Sequence, residues 1–155
     1  MAIPKKIIEY LKKNKVKFDQ IAHKTVYTAF DLAKTLKEKL NRISKTLLIK
    51  TDKGYVIVIL PADRMVDFGK LKKLLGAKKI EIAKEKVMKD LFKIKPGTIT
   101  PFAKLHKKVP LYIDKAIIRA KDVLVSAGSY TDSLRLKVKD LLKAEEHTKG
   151  DFSKK

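Results

Sequence analysis

The chain has 155 residues, 45% of them apolar, enough for one domain with a buried core and too many for a disordered chain. Its 38 Lys and Arg against 17 Asp and Glu give a net charge of +21, which points to a polyanionic partner, nucleic acid before others. With no cysteine, disulfides and thiol chemistry are excluded, and no apolar run approaches the roughly 18 residues that a bilayer-spanning helix needs.

In chain order, residues 4–13 read as a first helix. Pro4 suits the first turn, where its missing N–H costs nothing, and Ile7, Ile8 and Leu11 recur at helical spacing, with Asn14 as the stop. Residues 15–23 alternate as a half-buried strand with a slip near Asp19. Thr28 is placed to cap a second helix, with Asp31 in its first turn and Phe30, Ala33 and Leu36 or Leu40 as its buried stripe. Residues 43–51 and 55–60 form a hairpin around the short turn Asp52, Lys53, Gly54. Asp67 opens a helix that runs to Leu75 and stops at Gly76.

A strand at 79–83 and a helix at 85–92 follow. Residues 97–101 form a loop or strand end, and 109–113 an edge strand with Pro110 at its start. Residues 122–126 form an interior strand, 128–132 a turn, 134–136 a short strand and 138–144 a last helix. The chain therefore reads as one α+β domain, residues 1–144, with a mixed, largely antiparallel β-sheet surrounded by helices. Residues 145–155 read as a polar, flexible tail.

The three histidines, His23, His106 and His147, have no partner at ligand spacing, so no metal and no cofactor is expected. His23 reads as an ordinary structural residue and His106, among lysines, as solvent-exposed. No phosphate-binding glycine loop and no nucleophile elbow is present. Lys45, at the start of the hairpin's first strand, alternates onto the face of Leu47 and Ile49. An ammonium there either reaches a cleft or an anion, or lies at the sheet edge and snorkels to water. The glycine loops at 97–101 and 126–129 either serve backbone geometry alone or present main-chain groups to a ligand.

These pieces, in order, resemble the YbaK-type aminoacyl-tRNA deacylases, which share a fold with the editing domain inserted in bacterial prolyl-tRNA synthetases. The matching segments are Val26, Tyr27, Thr28 and Ala29; Ser44, Lys45, Thr46, Leu47 and Leu48; Leu75, Gly76, Ala77 and Lys78; Gly97, Thr98, Ile99, Thr100 and Pro101; and Ser126, Ala127, Gly128 and Ser129. The resemblance implies a cytoplasmic, trans-acting hydrolase that cleaves the ester of a mischarged tRNA without a metal. Alanine or cysteine on proline tRNA is the usual substrate. Lys45 would be the essential catalytic lysine. Thr28, Gly97 to Pro101, Ser126 to Ser129, Tyr130 and Arg135 would shape the aminoacyl pocket. The aminoacylated 3′ end of tRNA is the implied partner, an aminoacyl-tRNA synthetase a further one, and no membrane is involved. Two positions depart from the family pattern. Arg135 stands where several members carry histidine, and Tyr130 where some carry asparagine. A non-catalytic RNA-binding module on the same fold is the alternative.

Overall fold

The computed structural model describes residues 3–95 and 98–155. In chain order the elements are α1 (Lys5–Lys13), β1 (Phe18–Ala22), α2 (Ala29–Leu36), β2 (Ser44–Thr51), β3 (Gly54–Pro61), β4 (Met65–Val66), α3 (Phe68–Leu75), β5 (Ile80–Ile82) and α4 (Glu85–Phe92). They continue with β6 (Leu111–Asp114), α5 (Lys115–Ile118), β7 (Asp122–Ser126), β8 (Asp132–Lys137), α6 (Val138–Ala144), β9 (Thr148–Gly150) and β10 (Ser153–Lys154).

Local chemistry sets most of these boundaries. Pro4 precedes α1, and Ile7 and Leu11, one turn apart, are buried. The Thr28 hydroxyl accepts the Asp31 N–H at 3.0 Å and caps α2. Asp67 does the same for α3 through the Lys70 N–H, and Gly76 ends that helix at φ 62°, a left-handed conformation that glycine adopts without strain. The stripe of α2 differs from expectation. Leu32 and Ala33 are buried, whereas Phe30 is 65% exposed. The approach to α2 runs alongside residues 130–131, through Val26 N–H to the Tyr130 carbonyl and His23 N–H to that of Thr131, and this turns Leu32 inward and Phe30 out.

The domain is α+β with mixed, largely antiparallel pairing, and its strands divide between two sheets and a ribbon. The larger sheet has the order β5-β2-β3-β6-β9. Its hairpin register sets Lys45 opposite Leu60 and Leu47 opposite Val58, while β3–β6 and β6–β9 are parallel. The smaller sheet, β1-β8-β7, is antiparallel. A parallel bridge between Ile43 and Leu124 joins the two. One face of the larger sheet packs Leu48, Ile57 and Ile113 against α1 and the smaller sheet. The other packs Ile49, Val58 and Leu60 against Leu71 and Phe152.

Two expectations are corrected. Strand β6 is interior, because β9 pairs along its outer side. Residues 145–155 are not a frayed tail. Glu145 is buried, takes hydrogen bonds from the Tyr10 hydroxyl and the Lys104 N–H, and has its carboxyl pushed up to about 7, mainly by burial. Phe152 is fully buried, and β10 pairs with β4. Asp114, with no exposed surface, accepts the N–H groups of Phe152 and Ser153 at 3.0 and 3.1 Å. The segment is polar because its hydrogen-bond partners lie inside the protein.

Phe152→Ala is therefore expected to cost about 3–5 kcal/mol, the usual range for deleting a fully buried aromatic ring. Chemical denaturation checks this; an unchanged midpoint would mean the segment does not pack.

Candidate functional site

At the junction of the two sheets, four segments distant in sequence enclose a hollow of about 250 Å³. The entry to α2 contributes Val26, Tyr27, Thr28, Ala29 and Leu32. The start of β2 contributes Ile43, Ser44, Lys45 and Thr46. Ile99 comes from the loop before Pro101, and Ser126, Ser129 and Ser133 come from β7, β8 and their connection. The volume lies below the roughly 300–1,000 Å³ of drug-sized sites and suits a small group.

Lys45 is the charged side chain in this lining. It is half-buried, and its Nζ donates to the Arg64 carbonyl at 2.6 Å. Burial draws its pKa below the usual lysine range, and the nearby Asp63 carboxylate partly opposes this. The ammonium is thus neither unpaired nor extended into bulk water. One of its three N–H groups is used by Arg64, which leaves two for a ligand.

Six serine and threonine side chains share the lining, and their partners differ. The Ser44 hydroxyl donates to the Leu124 carbonyl at 3.2 Å, and that of Thr28 is used by the helix cap. Ser129 Oγ accepts the Thr131 and Asp132 N–H groups. Ser133 Oγ lies 2.9 Å from His23 Nε2. His23 Nδ1 lies 2.8 Å from the Lys24 carbonyl, which can only accept, so in the neutral ring Nδ1 carries the proton and Nε2 takes the Ser133 proton. The Ser133 oxygen is left with acceptor capacity at the hollow. The Thr46 Oγ1 is buried and has no hydrogen-bond partner among the described residues. Such an orphan costs about 1–3 kcal/mol until something pairs with it. At the rim, Tyr27 is 62% exposed and its ring centroid lies 4.7 Å from that of Tyr130. Among the described residues no carboxylate or imidazole lines the hollow; the groups that do, the Lys45 ammonium and the hydroxyls, can position and polarise a substrate.

Comparison with known proteins identifies the family. The family model for the aminoacyl-tRNA editing domain matches residues 23–144. The chain belongs to the aminoacyl-tRNA editing domain family. It is 26% identical over 142 residues to the prolyl-tRNA editing protein ProX of Acetoanaerobium sticklandii, covering 88% of this chain and 87% of that protein. It is 29% identical over 103 residues to the proline–tRNA ligase of Staphylococcus saprophyticus, but spans only 18% of that enzyme. Among solved structures, hypothetical protein APE2540 superposes with a TM-score of 0.89 at 22% identity, over 97% of this chain and all of that one. A structure described as a candidate trans-editing enzyme for prolyl tRNA synthetase superposes with a TM-score of 0.82 at 19% identity, over 99% of this chain and all of that one. At these identities the two structures speak for the fold.

Within this editing domain the residues singled out from sequence divide. Lys45, Thr28, Ile99, Ser126 and Ser129 meet in the hollow. Tyr130 reaches its rim through a tilted ring contact with Tyr27. Thr98, Thr100 and Gly128 instead line a second hollow with Pro4, Lys6 and His106. Alternation along the loop sends Ile99 one way and its two neighbours the other. Gly128 has φ 77°, and a Cβ there would stand 3.2 Å from Pro4 and Ile7, so its place is close packing against α1. Ala127 is in the core and Pro101 is buried. Arg135 does not line the hollow. Its guanidinium pairs with Glu38 at 3.0 Å and Asp122 at 3.7 Å, as its place on β8 opposite Leu124 dictates. Gly97 lies outside the described residues. Sequence reasoning missed Ser44, Thr46 and Ser133. The first two flank Lys45 and carried a signal in that proximity; Ser133 is brought in only by its pairing opposite Ser126.

His106 is also corrected. It is half-buried, and its Nε2 accepts the Thr100 N–H at 3.3 Å and lies 2.8 Å from the Thr100 hydroxyl. Burial, then the nearby Lys6 ammonium, push its pKa down to about 4. A folded pKa below the ordinary value of 6.5 means stability that is fully present above pH 6.5 and is lost as pH falls towards 4. Thermal unfolding of the protein and of His106→Gln across this window should converge as pH falls. Parallel curves would show that the imidazole is not held neutral.

Proposed function

We propose that this protein is a trans-acting deacylase that hydrolyses the ester between a small, wrongly attached amino acid and the 3′ end of a tRNA, most simply alanine or cysteine on proline tRNA. One observation carries the reading: in a member of the editing-domain family, Lys45, Ile99, Ser126 and Ser129 converge on a single small hollow. Trans action is favoured by the likeness to ProX, named as an editing protein in its own right.

In this reading the aminoacyl group enters between Leu32, Ile43 and Ile99. Its α-ammonium is received away from Lys45, by the Ser133 oxygen whose proton goes to His23. The two remaining N–H groups of Lys45 stabilise charge at the ester, and the orphan Thr46 hydroxyl gains a partner. Water adds to the carbonyl carbon, the bond to the ribose oxygen breaks, and that oxygen leaves with a proton, helped by the neighbouring ribose hydroxyl. An activated ester permits this with positioning and electrostatics alone. The exposed aromatic rim offers stacking surfaces for terminal bases. The exposed lysines on α1 (Lys5, Lys6, Lys12, Lys13) and α3 (Lys70, Lys72, Lys73) suit phosphate contacts.

Deacylation of a panel of mischarged tRNAs tests the proposal. Lys45→Ala should lower kcat/KM by on the order of 10²–10³-fold, as for removal of one preorganised donor. No turnover on any tRNA, with salt-sensitive binding unaffected by Lys45→Ala, would make the protein a non-catalytic RNA-binding module.

Tyr27→Ala separates recognition from chemistry. Losing about 1–3 kcal/mol of base stacking should raise KM roughly 5- to 150-fold and leave kcat near that of the unaltered protein. Equal loss in kcat would place Tyr27 at the reacting ester instead.

A further inference from the structure

We infer that Arg64 and Ser153 are positioning residues for Lys45, and that the C-terminal segment acts through them as a brace on the hollow. The functional part of this inference rests on the reading of Lys45 given above.

A lysine ammonium sits at the end of a flexible four-carbon stem, and holding it in one place costs rotamer entropy. A rigid acceptor is needed. For Lys45 that acceptor is the main-chain carbonyl of Arg64, at 2.6 Å. Arg64 lies in the turn between β3 and β4, where its N–H bonds to the Pro61 carbonyl at 3.1 Å. A turn on a two-residue strand is a weak support by itself. The C-terminal segment stiffens it twice. Strand β10 pairs with β4, Ser153 opposite Val66 and Lys154 opposite Met65. The Arg64 guanidinium also reaches across to Ser153, Nε donating to Oγ at 2.6 Å and Nη2 to the carbonyl at 3.3 Å.

Ser153 is itself fixed. It is 2% exposed, and its hydroxyl donates a hydrogen bond to Asp114 Oδ2 at 2.8 Å while accepting one from Arg64. Asp114 is fully buried and takes further bonds from the N–H groups of Phe152, Ser153 and Ala116. The line of contacts thus runs from the buried Asp114 through Ser153 and Arg64 to the Nζ of Lys45. The Arg64 guanidinium is directed at Ser153, while its carbonyl receives the Lys45 ammonium. Ser153 lies beyond residues 23–144, the stretch matched by the editing-domain model. A displacement of about 1 Å at a reacting centre is enough for a loss near 10²-fold, so a brace of this kind acts on rate.

The test uses the full chain with ¹⁵N-labelled lysine, the Lys45 Nζ signal being assigned by its loss in Lys45→Arg. Ser153→Ala removes the bridging hydroxyl. Arg64→Met removes the guanidinium and keeps the carbonyl. Both should shift the Lys45 signal and speed its proton exchange with water. On a mischarged tRNA both should lower kcat by on the order of 10-fold or more with KM changed less than about twofold. Ser153→Thr, which keeps the hydroxyl, should restore both readouts. Asp151→Ala breaks only the exposed pairs to Lys70 and Lys115 in the same segment and should match the unaltered protein. If Ser153→Ala does not fold, Arg64→Met carries the test. An unchanged Lys45 signal in the folded variants overturns the brace. If the unaltered protein turns over no tRNA, the deacylase reading falls, and the Nζ signal alone still decides the brace.

Discussion

The hollow lies where the backbones of the two sheets meet, at the parallel bridge between Ile43 and Leu124. Both residues are almost fully buried, and the neighbouring Ser44 hydroxyl satisfies the Leu124 carbonyl, so the contact is dry and its polar groups are paired. On its outer side β2 pairs with β5 only at Ile49, Lys50 and Thr51. Its first residues face the smaller sheet instead of another strand. That unshared edge brings Lys45 and Thr46 to the same opening although they alternate along the strand. The entry to α2, tied by backbone bonds to residues 130 and 131, closes the remaining side.

Among so many lysines, Lys45 is distinguished by what surrounds its ammonium. The lysines of α1 and α3 named above are exposed, and solvent screens them; they suit diffuse contact with phosphates. Lys45 is half-buried, so its charge is less screened, and burial alone would favour the neutral form. The Arg64 carbonyl and the Asp63 carboxylate keep the charged form in place. Partial desolvation with a fixed acceptor is what makes a cation effective against charge that develops at an ester. On the deacylase reading, affinity for a polyanion and stabilisation of a reacting group fall to different lysines.

What the sequence made legible follows from periodicity and capping. The hairpin, the caps at Thr28 and Asp67, the stop at Gly76 and the face of Lys45 all rest on interactions within a few residues. Pairing between distant strands does not. Strands β9 and β10 have three and two residues, too short for any alternation, and their polar side chains conceal that Asp114 is waiting for them. Pro110 at its start made β6 read as an edge, and nothing in three polar residues announced the strand β9 that covers it. The glycine loop was read as one surface, yet Thr98 and Thr100 face away from Ile99, and Gly128 serves a close approach to Pro4. His106 among lysines gave no sign of burial, because the Thr100 backbone that it supports is positioned by the loop between them.

The walls of the hollow bear on selectivity. Val26, Leu32, Ile43 and Ile99 are apolar, and an apolar wall discriminates by volume, at about 1–3 kcal/mol per methylene, or roughly 10- to 200-fold. On the deacylase reading, that suffices to keep larger side chains from the ester. It is a weak basis for telling alanine from cysteine, which differ by one small polarisable atom and make no charged contact here. Nothing in such walls reads the tRNA either. On the deacylase reading, the choice of tRNA therefore falls to groups outside the hollow: the Tyr27 and Tyr130 rings at the rim, and the lysines beyond them. Arg135, paired with Glu38 and Asp122, stands outside those walls and ties β8 to the segment after α2 and to β7.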